Sequence, residues 1–265
     1  MIKRNKEELI RLLNGIKDQI FNLSARMLSD VQSAEDATQD IFLKIFNQIG
    51  TLKDKAKFKP WALTVAKNHL LNVVKEDARF QHISFDIMEH DCSISLSNSC
   101  LTDVADMEKD KMLAELKISC SQAMLMCLTK EERFIYILSS MFELNSIDGG
   151  TIMEISPDTY RQKLHRARTK LKNFLEKNCG LINKSATCQC RKRLDYAFSK
   201  GRISKDKLDF TAEKYIPGDM NIPAFIEMME NYEDYSDIFK QNPQYAMPEE
   251  TRLSLLEKIN KHFSN

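Results

Sequence analysis

Apolar residues recur at steps of three and four along most of this chain, and few segments alternate with period two. With only seven glycines in 265 residues, that periodicity predicts an all-α protein. The length allows one large or two small domains, and 43% apolar content lets each bury a core. Apolar runs such as Ala123–Leu128 are too short to span a bilayer, and the start MIKRNKEELIRLLN lacks the apolar centre of a signal peptide. A cytoplasmic protein with no membrane partner is therefore expected. Seven cysteines, an odd number, read in that setting as thiols rather than as a disulfide framework.

The net charge of +1 hides strong segregation. Tyr160–Lys177 carries seven Lys/Arg against Glu176, whereas Gln81–Asp110 carries seven acids against Lys109. Asp209–Glu250 has ten acids against Lys214 and Lys240. Basic helices separated by acidic segments suit a protein that grips nucleic acid at separate points.

Four sections follow from these shifts. Residues 1–80 form a first helical unit, in which Ser33 is placed to cap the acidic helix AEDATQDIFLKIFNQI, with Asp36 at capping-box spacing. Pro60 suits the first turn of the basic helix after it, with Phe58 as a staple. Residues 81–110, polar and carrying Ser93, Ser95, Ser97 and Ser99, read as an acidic linker. Residues 111–177 form a second helical unit, where Thr129 and Glu132 again have capping-box spacing. Residues 178–265 are a cysteine-bearing helical extension.

Within the second unit, SIDGGTIMEIS and PDTYRQKLHRARTKLKNFL read as a short helix, a turn and a long helix. Ser156 is placed to cap the long helix, Pro157 fits its first turn and Asp158 complements its dipole. Tyr160, Leu164, Ala167, Leu171 and Phe174 or Leu175 make a core stripe. Outside it lie Arg161, Gln162, Lys163, His165, Arg166, Arg168, Thr169 and Lys172. Arg and Gln can read base edges in the major groove, and the start of a recognition helix points most directly into it. Thr159, Arg161, Gln162 and His165 are thus the candidates for base contacts, and the Lys, Thr and remaining Arg side chains suit phosphates.

AEDATQDIFLKIFNQI followed by FKPWALTVAKNHLLNVVK resembles the second conserved region of sigma-70-type initiation factors, particularly the extracytoplasmic-function (ECF) group. LTKEERFIYIL and ISPDTYRQKLHRARTKL resemble the fourth region of that group, and the resemblance runs in order over about Lys17–Lys177. It implies a subunit of RNA polymerase that recognises duplex −35 DNA and melts the −10 element, rather than an enzyme. Asp36, Gln39, Asp40 and Phe42 match the family's surface for the core polymerase, and Asp36, Gln39 and Asp40 share one helix face by spacing. Phe58, Trp61, Lys67, Asn68, Asn72, Lys75 and Arg79 match the segment that holds the unpaired −10 strand. Rings can stack on bases there while Lys and Arg follow the backbone. Trp61, beside Leu63, Val65 and Ala66, suits the core better than a stacking platform. His69 faces no ligand cluster and reads as a backbone or phosphate contact. The chain departs from the family at Gly149 and Gly150, where a helix-forming pair is usual, and at Tyr160, where a small β-branched residue is common.

A minimal member of that group would end near Lys177. Beyond it, Cys179, Cys188 and Cys190 are spaced C-x8-C-x-C, a set that could hold zinc with a fourth ligand, could act as a redox switch, or could be three reduced thiols in a tight turn. No cofactor is otherwise required. Acidic, aromatic Phe225–Tyr245 could dock on a basic helix and inhibit the protein from within, or act as a plain helical cap; a separate anti-sigma partner is a further option. The competing function is a stand-alone helix-turn-helix regulator, which would leave the Asp36/Gln39/Asp40 face without a task.

Overall fold

The computed structural model describes residues 6–264 except 81, 95–100, 102–103, 207, 213, 216–220 and 233. The described residues are helical and contain no strand, only an isolated bridge between Cys179 and Cys188. No helix among them is long and apolar enough to cross a membrane.

The first unit stacks α1 (Lys6–Asn14), α2 (Lys17–Leu28), α3 (Val31–Gln48) and α4 (Phe58–Glu76). Helix α2 ends on Ser29 in the left-handed conformation, and Asp30 then caps α3 by accepting from the Ser33 amide at 2.5 Å. Ser33 is therefore inside the helix and not its cap. Either residue type can cap, and the chain reversal at Ser29 selects the earlier one. Pro60 does lie in the first turn of α4, and Phe58, its first residue, is buried against Trp61.

The acidic stretch after Phe80 is more structured than its composition predicts. It holds α5 (Phe85–Ser93), whose cap Ser84 accepts from the Asp86 amide at 3.0 Å. Ser95, Ser97 and Ser99 lie outside the described residues. Helix α6 (Asp106–Met126) begins ahead of the expected boundary at Lys111. Thr129 and Glu132 close a reciprocal capping box on α7 (Lys130–Tyr136), which runs into a π-helical turn over Ile137–Met141. Asn145 caps α8 (Ser146–Met153), and Ser156 and Pro157 start α9 (Pro157–Asn178). The extension adds α10 (Cys190–Ser199), α11 (Ile222–Met228), α12 (Asp237–Lys240) and α13 (Glu249–Ser264).

Buried polar groups join these sections. The Arg133 guanidinium donates to the carbonyls of Met27 at 2.6 Å, Leu125 at 3.1 Å and Phe80 at 3.4 Å. Met27 and Leu125 belong to the last turns of α2 and α6, where carbonyls lack intrahelical partners and positive charge is favoured. Asn22 bonds both the carbonyl and the amide of Tyr245, at 2.7 and 2.9 Å. Buried Glu115 accepts from the amides of Asp209, Phe210 and Thr211 at 2.8–3.0 Å. Phe225–Tyr245 packs on the core through Phe239, which meets Tyr136 edge-on at 5.2 Å, and through Asn242, which bonds Ser121, while Asp234 and Tyr235 lie within electrostatic reach of Lys172 and Arg168 on α9. Its aromatic residues Phe225, Phe239 and Tyr245 are buried in the apolar core.

Candidate functional site

Helix α3 is buried along Ala34, Ala37, Thr38 and Ile41, which leaves Asp36 and Asp40 exposed on one face. Gln39, on the same face, is half-buried because its Oε1 accepts from Lys258 Nζ of α13 at 2.6 Å. Phe42 is fully buried and lines a gap with Met247, Leu255 and Ile259, so α13 and the segment before it cover it. One residue before Asp36, Glu35 anchors the extension through Thr251 Oγ1 at 2.5 Å, Tyr215 OH at 2.6 Å and Lys214 Nζ at 3.1 Å. Burial opposes its charge, but the hydrogen bonds of Thr251, Tyr215 and Lys214 prevail and hold its carboxyl below the usual range.

Helix α4 divides the matched residues into two groups. Asn68, Asn72, Lys75 and Arg79 are exposed along one face that continues past its end. Arg79 pairs with Asp77 at 2.6 Å and lies 4.9 Å over the Phe80 ring. Exposed pairs of this kind are worth under about 1 kcal/mol, so a phosphate can displace the carboxylate. Phe58 and Lys67 are buried and Trp61 is half-buried on the core. Lys67 Nζ reaches Glu154 at 2.5 Å, at the left-handed residue that ends α8, so its charge serves the junction between the units. His69 is also buried rather than set for a phosphate; its Nδ1 is 2.7 Å from Lys44 Nζ. Burial and the Lys44 charge lower its pKa.

Helix α9 carries the expected stripe, with Tyr160, Ala167, Leu171, Phe174 and Leu175 buried. Arg161, Gln162, His165, Arg166, Arg168, Thr169 and Lys172 are exposed. Lys163 is half-buried and paired with Glu131, and Arg161 pairs with Asp158 beside Ser146 Oγ. The Thr159 hydroxyl is taken up by the cap, 2.9 Å from Ser156 Oγ. The two family departures prove to be one feature. A Cβ on Gly149 would lie 2.3 Å from Tyr160 Cζ, so the ring fills the space the glycine leaves. Gly150 is tight as well, since its Cβ would come within 2.9 Å of the Ile155 carbonyl oxygen at the turn.

Cys179 ends α9, and Gly180 N donates to the Cys188 carbonyl at 3.0 Å, which brings Cys179 and Cys188 side by side. Cys190 opens α10. Among the described residues no group of three or more His, Cys, Asp or Glu is placed to hold a metal ion. What gathers there is a cavity of about 430 Å³ lined by five thiols: Cys179, Cys188, Cys190, Cys92 of α5 and Cys120 of α6. The Cys92 and Cys188 thiols both line this cavity and influence each other's ionisation. Within the pair Cys188 ionises first, stabilised by the Cys92 S–H and by the Arg193 guanidinium. Interaction with Cys188, with burial, pushes Cys92 far up.

Comparison with known proteins finds sigma factors. The Sigma-70 region 2 family profile matches residues 12–80. The ECF RNA polymerase sigma factor SigW of Bacillus subtilis is 24% identical over 173 residues, covering 65% of this chain and 91% of that protein. The RNA polymerase sigma-H factor of Pseudomonas aeruginosa is 24% identical over 162 residues, covering 60% of this chain and 81% of that one. The sigma factor RpoE of Bartonella quintana, solved in complex with the anti-sigma factor NepR, covers 66% of this chain at 19% identity, with a TM-score of 0.42 that carries no argument about arrangement. The region 2 match spans the acidic α3 and the basic α4. Residues 12–80 thus match sigma-70 region 2, and the chain is similar to ECF RNA polymerase sigma factors over most of the length of those proteins.

Two sets of residues escaped the sequence reading. Glu35 had one signal, its i, i+4 relation to Gln39. Cys92 and Cys120 had none beyond being cysteines, because the cysteines after α9 lie some sixty to a hundred residues away.

Proposed function

We propose that this chain binds core RNA polymerase through the Asp36/Gln39/Asp40 face, reads duplex −35 DNA with α9, and holds the melted −10 strand along α4, making and breaking no bond itself. It works in the cytoplasm, where that polymerase acts. The observation that carries this reading is the exposed row Arg161, Gln162, His165 and Arg166 on a capped second helix. It sits in the same chain as an exposed Asn68, Asn72, Lys75 and Arg79 row on a matched region 2. A stand-alone regulator gives the second row no task. Specific transcription from purified chain and core polymerase tests it; no binding to core in any form of the chain refutes it. With Lys75→Ala and Arg79→Ala combined, open-complex formation measured by permanganate footprinting should fall at least tenfold, with core binding unchanged.

In the form described here α13 covers part of the polymerase-facing helix, so the extension acts as an internal inhibitor. Ile259 is fully buried in the layer that covers Phe42. Ile259→Asp places a carboxylate there and should detach α13. The expected result is core binding at least fivefold tighter than for the unaltered chain in a fluorescence titration. Unchanged affinity would mean that α13 does not compete.

A further inference from the structure

Five of the seven cysteines face one cavity although they come from three separate stretches of chain. Cys92 lies on α5, Cys120 on α6, Cys179 and Cys188 on the turn that follows α9, and Cys190 at the start of α10. The described cysteines are free thiols. Within the cluster Cys92 and Cys188 bring α5 and the turn after α9 to the same cavity wall, and each shifts the other's ionisation. The cavity wall is mostly apolar, with Ile83, Ile87 and Leu116 among its residues, and Lys117 and Arg193 are its buried cations. Arg193 donates to the Asp91 carbonyl at 2.7 Å, which fixes α5 against α10 beside the pair. Cys188 is half-buried, whereas Cys92 is more deeply covered.

We propose that Cys92 and Cys188 are a redox modification site, in which a hydroperoxide oxidises the pair to a disulfide that ties α5 to the turn after α9. The Cys188 thiolate attacks one peroxide oxygen; the S–O bond forms, the O–O bond breaks, and the other oxygen leaves as hydroxide. The Cys92 thiolate then attacks the sulfenic sulfur; the S–S bond forms, the S–O bond breaks, and the sulfenic oxygen leaves as a second hydroxide. The protons of the two thiols convert both hydroxides to water, so two thiols and one hydrogen peroxide give one disulfide and two waters. The more accessible thiol meets the oxidant and the covered one resolves it, which is the order the burial dictates.

The bond would staple three elements. Helix α5 already touches α9 through Phe85 and Phe174, whose rings are 5.4 Å apart, and through the Glu89–Lys177 pair. A disulfide from α5 to the turn after α9 closes a loop of roughly a hundred residues, long enough for a large entropic restraint on the unfolded chain. Oxidation therefore stabilises the arrangement seen here, whichever partners the protein has.

The test uses the full chain, freed of metal with EDTA, exposed to hydrogen peroxide at low excess, alkylated with iodoacetamide and mapped by mass spectrometry. The expected product is a peptide pair joined between Cys92 and Cys188, released by dithiothreitol, with a thermal unfolding midpoint several degrees higher than before oxidation. Cys92→Ser and Cys188→Ser should each abolish both the link and the rise, whereas Cys127→Ser leaves both intact. An oxidised wild-type protein in which Cys92 and Cys188 both still take up iodoacetamide overturns the proposal, as does a map that joins other cysteines in their place. The wild-type map decides the matter even where a serine variant fails to fold.

Discussion

Replacing Arg133 with methionine is expected to destabilise the protein by about 3–5 kcal/mol, a fall of roughly 10 °C in the unfolding midpoint. The side chain is fully buried. Burial lowers its pKa to about 10, which still leaves it charged at neutral pH. No carboxylate balances it; it is held by the carbonyls of Met27, Phe80 and Leu125, with Met126 at the margin at 3.5 Å. Methionine fills much of the volume but strands those oxygens, each of which costs about 1–3 kcal/mol when buried without a donor. Because the carbonyls come from α2, from α6 and from the end of the first unit, the loss should loosen the junction between the units. Differential scanning calorimetry would then show a broadened or split transition. A single sharp transition at the original temperature would mean that the guanidinium contributes nothing net.

The second large effect is expected at Gly149. In an exposed helix Gly→Ala gains about 1 kcal/mol, so propensity alone forecasts stabilisation. The ring of Tyr160 reverses that sign. It is fully buried, and its hydroxyl donates to the Ile135 carbonyl at 3.2 Å and lies 3.0 Å from Ser139 Oγ, so it has no free direction in which to yield. Gly149→Ala should therefore cost about 1–3 kcal/mol as an overpacked contact. It should also tilt α9 against α8 and reduce −35-dependent transcription at least tenfold. Tyr160→Val added to Gly149→Ala should recover most of both losses, whereas Tyr160→Val alone leaves a cavity and is destabilising. A double-mutant cycle with no coupling between the two positions would refute the fit.

Where the sequence was sufficient, local physics sufficed too. The stripe and the exposed basic face of α9 follow from period alone, and the caps at Ser156 and Thr129 follow from residue type and spacing. Phe42, Phe58 and Lys67 illustrate the limit. Motif matching places them at a surface, but α3 and α4 are covered on more than one side, by α13 and by α8, and neither cover is visible from the helix's own pattern. Gly149 and Tyr160 each stood out as unusual, yet eleven positions separate them and only the fold shows that one makes room for the other. The same holds for Glu115, Asn22 and Arg133. A sequence shows that a residue is polar, not that three distant amides or carbonyls will meet it. Helix α5 was missed for a different reason: an acidic, serine-rich composition also describes a short exposed helix whose single apolar edge rests on α9.

The contacts of Asn22 with Tyr245 span 223 residues. On a ribosome adding about 5–20 residues per second, roughly 10–45 s separate the synthesis of the two partners. During that interval α3 exists without the segment that will cover it. Each newly made molecule thus passes through a brief uncovered youth before its own tail closes over it, and a polymerase near the nascent chain would meet it in that state.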